Sequence, residues 1–360
     1  MILSMVLALA LGAAQGNSTP AENKGTVEKI KVHGKSLEGN LEGDTPDRDV
    51  WVYLPPSYAK NRNQRYPVVY LLHGYGIGVE RWMTAFAIAE GADKAIAAGT
   101  MKEMILVNPD AHTKYDGSMY SASATTGDWE TYIAEDLVAY MDSHYRTIPD
   151  RMSRGLGGHS MGGYGTVRIG MKRPDVFSSL YIMSACCLLN GVPADGQRQG
   201  TRAATPAPAP APAEGQGARG DGARGRGGRG GGRGFANVGA AQAAAWASNP
   251  NNPPNYYDEL VKDGVRQPTI AAKYVANSPL VMIDQYVTNL KKYHAIGGEV
   301  GTADSLMSSN KQMEEVFTNF GVKHTFETYE GDHTNRLKER IELKALPFFS
   351  DNLSFTAKKK

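Results

Sequence analysis

Cysteine is nearly absent. The 360 residues contain two, Cys186 and Cys187, side by side in an apolar stretch. Adjacent cysteines rarely bridge without distorting the backbone between them, and no other thiol is available inside the chain. A disulfide framework and a cysteine-rich metal site are therefore excluded, and the pair reads as two small buried hydrophobes. Net charge is also scant, at +2, and most of it is local. Residues 191–234 hold seven arginines against Asp195, Glu214 and Asp221, a surplus of four that leaves the rest of the chain at −2. The foldable part thus offers no basic footprint for nucleic acid.

Long apolar runs are missing as well. Ile2–Ala14 is apolar, but it falls short of the roughly 20 residues a bilayer span takes. No Lys or Arg precedes it, leaving only the terminal amine. Gly12 and Ala14 nevertheless suit a signal-peptidase site, so residues 1–14 read as an export signal rather than a buried first helix. Residues 15–25 follow as a polar linker, and the expected location is secreted or periplasmic.

What is present is ample apolar content, 41%, and enough length for one large domain. Thr26–Val32 and Asp49–Leu54 alternate apolar and polar side chains, as half-buried strands opening a sheet do. Tyr66–Leu72, Met104–Val107 and Leu180–Ser184 are apolar almost without interruption, the mark of strands covered on both faces. Tyr293–Val300 and His324–Tyr329 add two late strands. Apolar residues at 129, 133, 137, 138, 141 and 145 recur at helical spacing. Further helices are expected at Tyr164–Met171, Pro279–Leu290, Ser305–Phe320 and Asn335–Leu353, the last with a break at Pro347. Helices alternating with buried strands predict a doubly wound, mostly parallel α/β sheet over residues 26–353.

Residues 191–250 interrupt that pattern. Pro-Ala repeats give way to Arg-Gly repeats that cannot bury enough apolar surface to order themselves. Arg-Gly runs bind RNA in other settings. Here the segment reads as a solvated insertion, tolerated because loop-closure cost rises slowly with length. Within it, Gly239–Ser248 is rich enough in alanine for one short helix carrying Trp246 toward a site mouth. Residues 354–360 form a basic tail.

The chemistry centres on Gly158-His159-Ser160-Met161-Gly162, which fits the G-x-S-x-G nucleophile elbow. A strand arrives, turns within about one residue and leaves as a helix, so the apex serine is strained and exposed. Residues two before and two after lie too close for a Cβ, hence glycine at 158 and 162. The helix from Met161 points unpaired N–H groups at the place where negative charge would develop. Upstream, His73-Gly74-Tyr75-Gly76-Ile77-Gly78 has the wrong spacing for a dinucleotide fingerprint. A better use is a backbone N–H from Tyr75 as the second half of an oxyanion hole.

A serine hydroxyl needs a base, and the base needs an orienting acid. In doubly wound hydrolases the chain order is Ser, then Asp or Glu, then His, each just past the carboxyl end of a strand. Of eight histidines, only His333 lies in a loop after a late strand. Among the acids, Asp304 follows its strand; Glu299 sits within it, and Asp332 adjoins the histidine and would point away. Asp304 is favoured; its other reading is a cap on the helix starting at Ser305. Tyr75, Trp82, Tyr120 and Trp129 are candidates for lining an acyl or aromatic pocket. No metal or cofactor is called for.

The runs Y-L-L-H-G-Y-G with Trp82, G-S-M-Y…T-G-D-W-E-T-Y-I-A-E-D-L, G-G-H-S-M-G-G-Y-G, G-T-A-D and G-D-H together resemble the esterase D family of α/β-hydrolases. That family includes feruloyl esterases, S-formylglutathione hydrolases, enterochelin esterases and mycolyltransferases. The similarity covers about residues 35–185 and 265–353. It implies an α/β-hydrolase fold, with Ser160 as nucleophile, Asp304 and His333 completing a triad, and the N–H groups of Tyr75 and Met161 forming the oxyanion hole. The insertion at 191–250 departs from the family where relatives carry substrate-contacting loops. The expected function is an exported serine esterase acting on acylated carbohydrate, with feruloyl or acetyl esters as substrates. Acyl transfer to a sugar is the alternative, and a non-catalytic binding protein using the Arg-Gly segment is a more distant one.

Overall fold

The computed structural model describes residues 24–190 and 237–356. The expected export signal, nearly all of the linker, the Pro-Ala and Arg-Gly repeats and the tail from residue 357 lie outside the described residues. Eight strands form the main sheet: β1 Thr26–His33, β2 Asp47–Leu54, β3 Val68–Leu72, β4 Ile105–Pro109, β5 Arg154–His159, β6 Ser179–Met183, β7 Ala295–Gly301 and β8 Thr325–Tyr329. Their spatial order is β1-β2-β4-β3-β5-β6-β7-β8. β2 runs antiparallel to both β1 and β4, and the pairings from β4 through β8 are parallel.

The strand period of two sorts β3 between two cores. Val68, Tyr70 and Leu72 face one, with Leu137, Met141, Tyr164 and Val167. Val69 and Leu71 face the other, with Trp82, Ile88, Leu337, Leu346 and Phe349. The helices that close these cores are α1 Val79–Ala85, α2 Ile88–Ala97, α3 Leu137–His144, α4 Met161–Lys172, α5 Val238–Trp246, α6 Pro268–Ala276, α7 Pro279–Leu290, α8 Met307–Asn319, α9 Leu337–Arg340 and α10 Leu346–Asn352. Both faces of the sheet are covered, as nearly continuous apolar strands require. Among the described residues no helix is long and apolar enough to cross a membrane.

Two expectations need correction. Pro347 does not break the last helical run; it falls in the first turn of α10, directly after a π turn at Ile341–Ala345. Ala345 and Leu346 before it keep helical backbone angles, and proline's fixed φ suits the helix. The segment expected to be without structure up to residue 250 also includes helix α5, Val238–Trp246. Helix α5 buries Ala241, Ala243, Ala244 and Ala245 almost completely. Methyl-sized side chains let its backbone seat closely enough for Ser123 Oγ to donate to the Ala244 carbonyl at 2.5 Å. Burial of this apolar face is what lets an alanine-rich stretch fold onto the domain.

Candidate active site

Ser160 stands between β5 and α4 with φ 57° and ψ −113°, a strained conformation for a residue with a side chain. The turn closes only because its flanking residues are glycine. A Cβ on Gly158 would lie 2.5 Å from the Gly162 carbonyl oxygen, and one on Gly162 would collide with the Leu72 carbonyl. The serine backbone is pinned from two sides: its N–H donates to the Met183 carbonyl at 3.0 Å, and its carbonyl accepts from Tyr164 at 2.9 Å and Cys186 at 3.1 Å.

Asp304 and His333 sit on loops beyond β7 and β8, and those loops are joined by their backbones. Thr302 N–H donates to the Tyr329 carbonyl at 2.8 Å, and Ala303 N–H to the Gly331 carbonyl at 2.9 Å. Gly301 permits this approach, since any Cβ there would strike the Gly331 backbone. The result is a continuous relay. His333 Nε2 is 2.9 Å from Ser160 Oγ, and His333 Nδ1 is 2.8 Å from Asp304 Oδ2. With Nδ1–H donating to the carboxylate, Nε2 is left as the acceptor for the serine proton. The other Asp304 oxygen, Oδ1, accepts from Leu306 N–H at 2.9 Å, so this residue caps the following turn and orients the histidine together. Burial works against its charge, but the His333 and Leu306 hydrogen bonds outweigh that and hold the carboxyl below its ordinary value.

The other two acids are engaged elsewhere. Glu299 is buried in the sheet face, its Oε2 accepting from Tyr181 Oη at 2.7 Å and from Arg340 Nε and Nη2 at 3.0 and 2.6 Å. Asp332 turns its Oδ1 back onto the N–H groups of Thr334 and Asn335, at 2.8 Å each. Those two bonds draw its carboxyl below the ordinary value.

The segment carrying Tyr75 runs past the serine: a Cβ on Gly74 would stand 3.4 Å from Ser160 Cβ. Tyr75 and Met161 meet over Gly117, where a Cβ would lie 2.7 Å from the tyrosine ring and 2.6 Å from the methionine sulfur. Both backbone segments expected to supply oxyanion donors therefore flank the same hydroxyl. His73 braces this loop. Ala111 N–H donates to its Nε2 at 2.8 Å, which leaves the proton on Nδ1 to donate to the Gly74 carbonyl at 2.8 Å.

The remaining aromatic candidates are placed differently. Trp82 is fully buried against Phe86, its indole N–H donating to Asn108 Oδ1 at 3.0 Å. Trp129 is buried on the opposite core, donating to the Thr126 carbonyl at 2.8 Å. Tyr120 lies close to the elbow, packed over Gly165, but it is wholly enclosed and its hydroxyl donates to the His73 carbonyl at 3.3 Å. All three are packing residues with satisfied polar ends rather than pocket walls. Trp246 is buried between Tyr164 and Tyr274 and donates to Ser121 Oγ at 3.2 Å.

Two features escaped the sequence reading. His159, within the elbow, stacks beside His333 with ring centroids 4.6 Å apart, and its Nε2 lies 2.8 Å from the His333 carbonyl. Burial, and then the neighbouring His333, push its pKa down to about 3, so it is neutral and donates through Nε2–H to that carbonyl. The cysteines, expected to be buried, are both partly exposed. They belong to the loop after β6 and pack against the edge of the core between the buried Ala185 and Leu188. Among the described residues, no group of three His, Cys, Asp or Glu side chains could hold a metal ion.

Comparison with known proteins agrees with this architecture. The Esterase family model matches residues 45–337. A segment of 136 residues, 37% of this chain, is 31% identical to an endo-1,4-beta-xylanase/feruloyl esterase of Xylanibacter ruminicola, covering 19% of that protein. Another of 130 residues, 36% of this chain, is 30% identical to Esterase Rv1288 of Mycobacterium tuberculosis, covering 27% of it. These matches span well under a third of the relatives' lengths. Among solved structures, a ferulic acid esterase superposes with TM-score 0.63 at 20% identity, over 92% of this chain and 99% of that one. An S-formylglutathione hydrolase from Staphylococcus aureus gives 0.56 at 16% identity, over 91% and 99%. The chain belongs to the Esterase family and has the α/β-hydrolase fold.

Proposed function

We propose that this protein hydrolyses carboxylic esters through an acyl-enzyme formed on Ser160. His333 Nε2 takes the hydroxyl proton as Oγ attacks the ester carbonyl. Asp304 holds the imidazole in the required tautomer and stabilises its charged form. The backbone N–H groups of Tyr75 and Met161 receive the negative charge that develops on the carbonyl oxygen. His333 then gives its proton to the departing alcohol. A water molecule, deprotonated by the same nitrogen, releases the acid and restores the serine.

The observation that carries this reading is the relay itself: a strained serine 2.9 Å from an imidazole whose other nitrogen is 2.8 Å from a buried carboxylate. Acylated carbohydrate is the substrate class we favour, with feruloyl and acetyl esters foremost. The relative named for both xylanase and feruloyl esterase supports that choice, as does the apolar N-terminal run, which suits an exported enzyme.

Ser160→Ala tests the mechanism. Turnover of p-nitrophenyl acetate is expected to fall by roughly 10⁴-fold or more, leaving what binding and the oxyanion donors supply. Undiminished turnover by the folded variant would rule the nucleophile out. Feruloyl esters and acetylated xylan, assayed side by side with simple short-chain esters, test the substrate class. It fails if neither is cleaved faster than the simple esters.

A further inference from the structure

We propose that Cys186 and Cys187 form a redox-modified site: a vicinal dithiol that closes to a disulfide by exchange with an external disulfide, beside the Ser160 elbow. Four observations converge on the pair. The two sulfurs lie 2.8 Å apart, inside the roughly 3.5–4.0 Å at which even carbon atoms rest against one another. Consecutive side chains of an extended chain point to opposite sides, but here Cys187 has φ +59° and the two thiols meet. Both residues are partly exposed, so a small disulfide can reach them. The chain contains no other cysteine, so within one molecule each has only the other as a partner.

The chemistry balances with a low-molecular-weight disulfide as oxidant. Cys186 Sγ–H is the donor in the contact and Cys187 Sγ the acceptor, so Cys187 is assigned as the sulfur that attacks first. Its thiolate displaces one thiolate from the external disulfide, leaving a mixed disulfide on Cys187. Cys186 then gives its proton to the departing thiolate, attacks Cys187 Sγ and expels the second thiol. Two protein thiols are oxidised and one external disulfide is reduced. Consecutive α-carbons are about 3.8 Å apart, below the roughly 4.4–6.8 Å usual for bridged cysteines. The ring is therefore strained and readily reduced, which makes the pair reversible rather than a permanent staple.

The pair is also connected to the elbow. Cys186 N–H donates to the Ser160 carbonyl at 3.1 Å, and Gln242 on α5 approaches Cys187 Sγ at 3.7 Å. Closing the ring must twist the peptide between the two residues, and that strain is passed to the backbone holding Ser160. Hydrolysis is expected to slow. This last step rests on the proposed role of Ser160, whereas ring formation does not.

The test uses the full-length protein. It is reduced, exposed to excess oxidised glutathione, blocked with N-ethylmaleimide and weighed by intact mass spectrometry. The expected product has lost two hydrogen masses, carries no maleimide and migrates as a monomer on a non-reducing gel; dithiothreitol restores two maleimide adducts. p-Nitrophenyl acetate turnover falls several-fold on oxidation and recovers on reduction, while Cys186→Ser and Cys187→Ser hydrolyse at a rate indifferent to redox state. A stable glutathione adduct, a linked dimer or two maleimide adducts at every poise overturns the ring. A ring that forms without any change in rate overturns its link to Ser160. Because mass and rate are read separately, failure of the esterase reading leaves the disulfide result standing.

Discussion

Glu299 lies within β7 and Asp304 just beyond its end, and both carboxylates are shielded from water. What differs is the partner. Glu299 meets Arg340, itself 7% exposed, and the Tyr181 hydroxyl. A guanidinium never releases its proton at any pH the protein meets, so this pair can hold the sheet to α9 and do nothing else. Asp304 meets an imidazole whose side chain is 32% exposed and whose far nitrogen faces a hydroxyl. An imidazole gains and loses a proton near neutrality. Under the proposed mechanism, position on the strand does not separate a structural acid from a chemical one; the exchangeability of the partner's proton does.

That contrast is open to experiment, and the largest effect is expected at Asp304. Asp304→Asn keeps the shape but removes the charge that orients and stabilises the imidazolium. By analogy with serine proteases, kcat should drop by about 10⁴-fold, with the thermal midpoint nearly unchanged. A loss of activity no greater than the loss of folded protein would erase the distinction from Glu299.

Glu299→Gln should do the reverse. Removing one partner of a buried ion pair typically costs about 3 kcal/mol. Glu327 also contacts Arg340, which places the effect at the lower end. Urea denaturation reads the destabilisation, and the folded fraction should hydrolyse esters at close to the wild-type rate. A large fall in kcat with normal stability would show that Glu299 serves the chemistry after all.

A smaller effect sharpens the same point with two histidines. His159 and His333 are in contact, yet only His333 can reach the serine. His159→Phe keeps a ring and loses the hydrogen bond to the His333 carbonyl. A bond worth about 0.5–1.5 kcal/mol translates to roughly 3- to 10-fold in kcat, with little change in KM. The acid response should change too. The folded pKa of His159, about 3, lies below its ordinary 6.5. Its contribution to stability is therefore complete above pH 6.5 and is lost as pH falls toward 3. The phenylalanine variant should have the flatter stability profile across that window, and an unchanged slope would show that His159 is not the buried neutral group.

The sheet was legible because its signals are local. Unbroken apolar runs marked β3, β4 and β6, and period-two alternation marked β1 and β2. The elbow was legible because steric crowding forces glycine at 158 and 162. His333 and Asp304 could be singled out because the fold restricts such residues to one edge and one chain order. Trp82, Tyr120 and Trp129 could not be sorted, since an indole or phenol reads the same in a core as on a pocket wall. Their satisfied N–H and O–H partners appear only in three dimensions. Cys186 and Cys187 misled for the opposite reason: an apolar neighbourhood in sequence resembles full burial, but the pair packs at the edge of the core and stays partly exposed.

Glu42 completes the series as a carboxyl with no cation in contact, and it carries the smallest expected effect. Its two oxygens are enclosed. Burial first, and then the nearby Asp44 carboxylate, raise its pKa to about 9, more than Lys114 and Arg48 can offset. Asp304 keeps its charge through its hydrogen bonds, whereas Glu42, whose hydrogen-bond partner is the Asp44 carboxylate, keeps its proton. In the unfolded chain the same group ionises near 4.5. Between those values the folded state binds more protons, so stability is fully present below pH 4.5 and declines as pH rises toward 9. Glu42→Gln copies the neutral form and removes that dependence. It should raise stability by on the order of 1 kcal/mol at pH 7, with the advantage growing toward pH 9 and vanishing at pH 4. Thermal midpoints across that range decide it: a variant no more stable than wild type at pH 8 means that Glu42 is charged, and that burial without a cation is not enough to neutralise a carboxyl here.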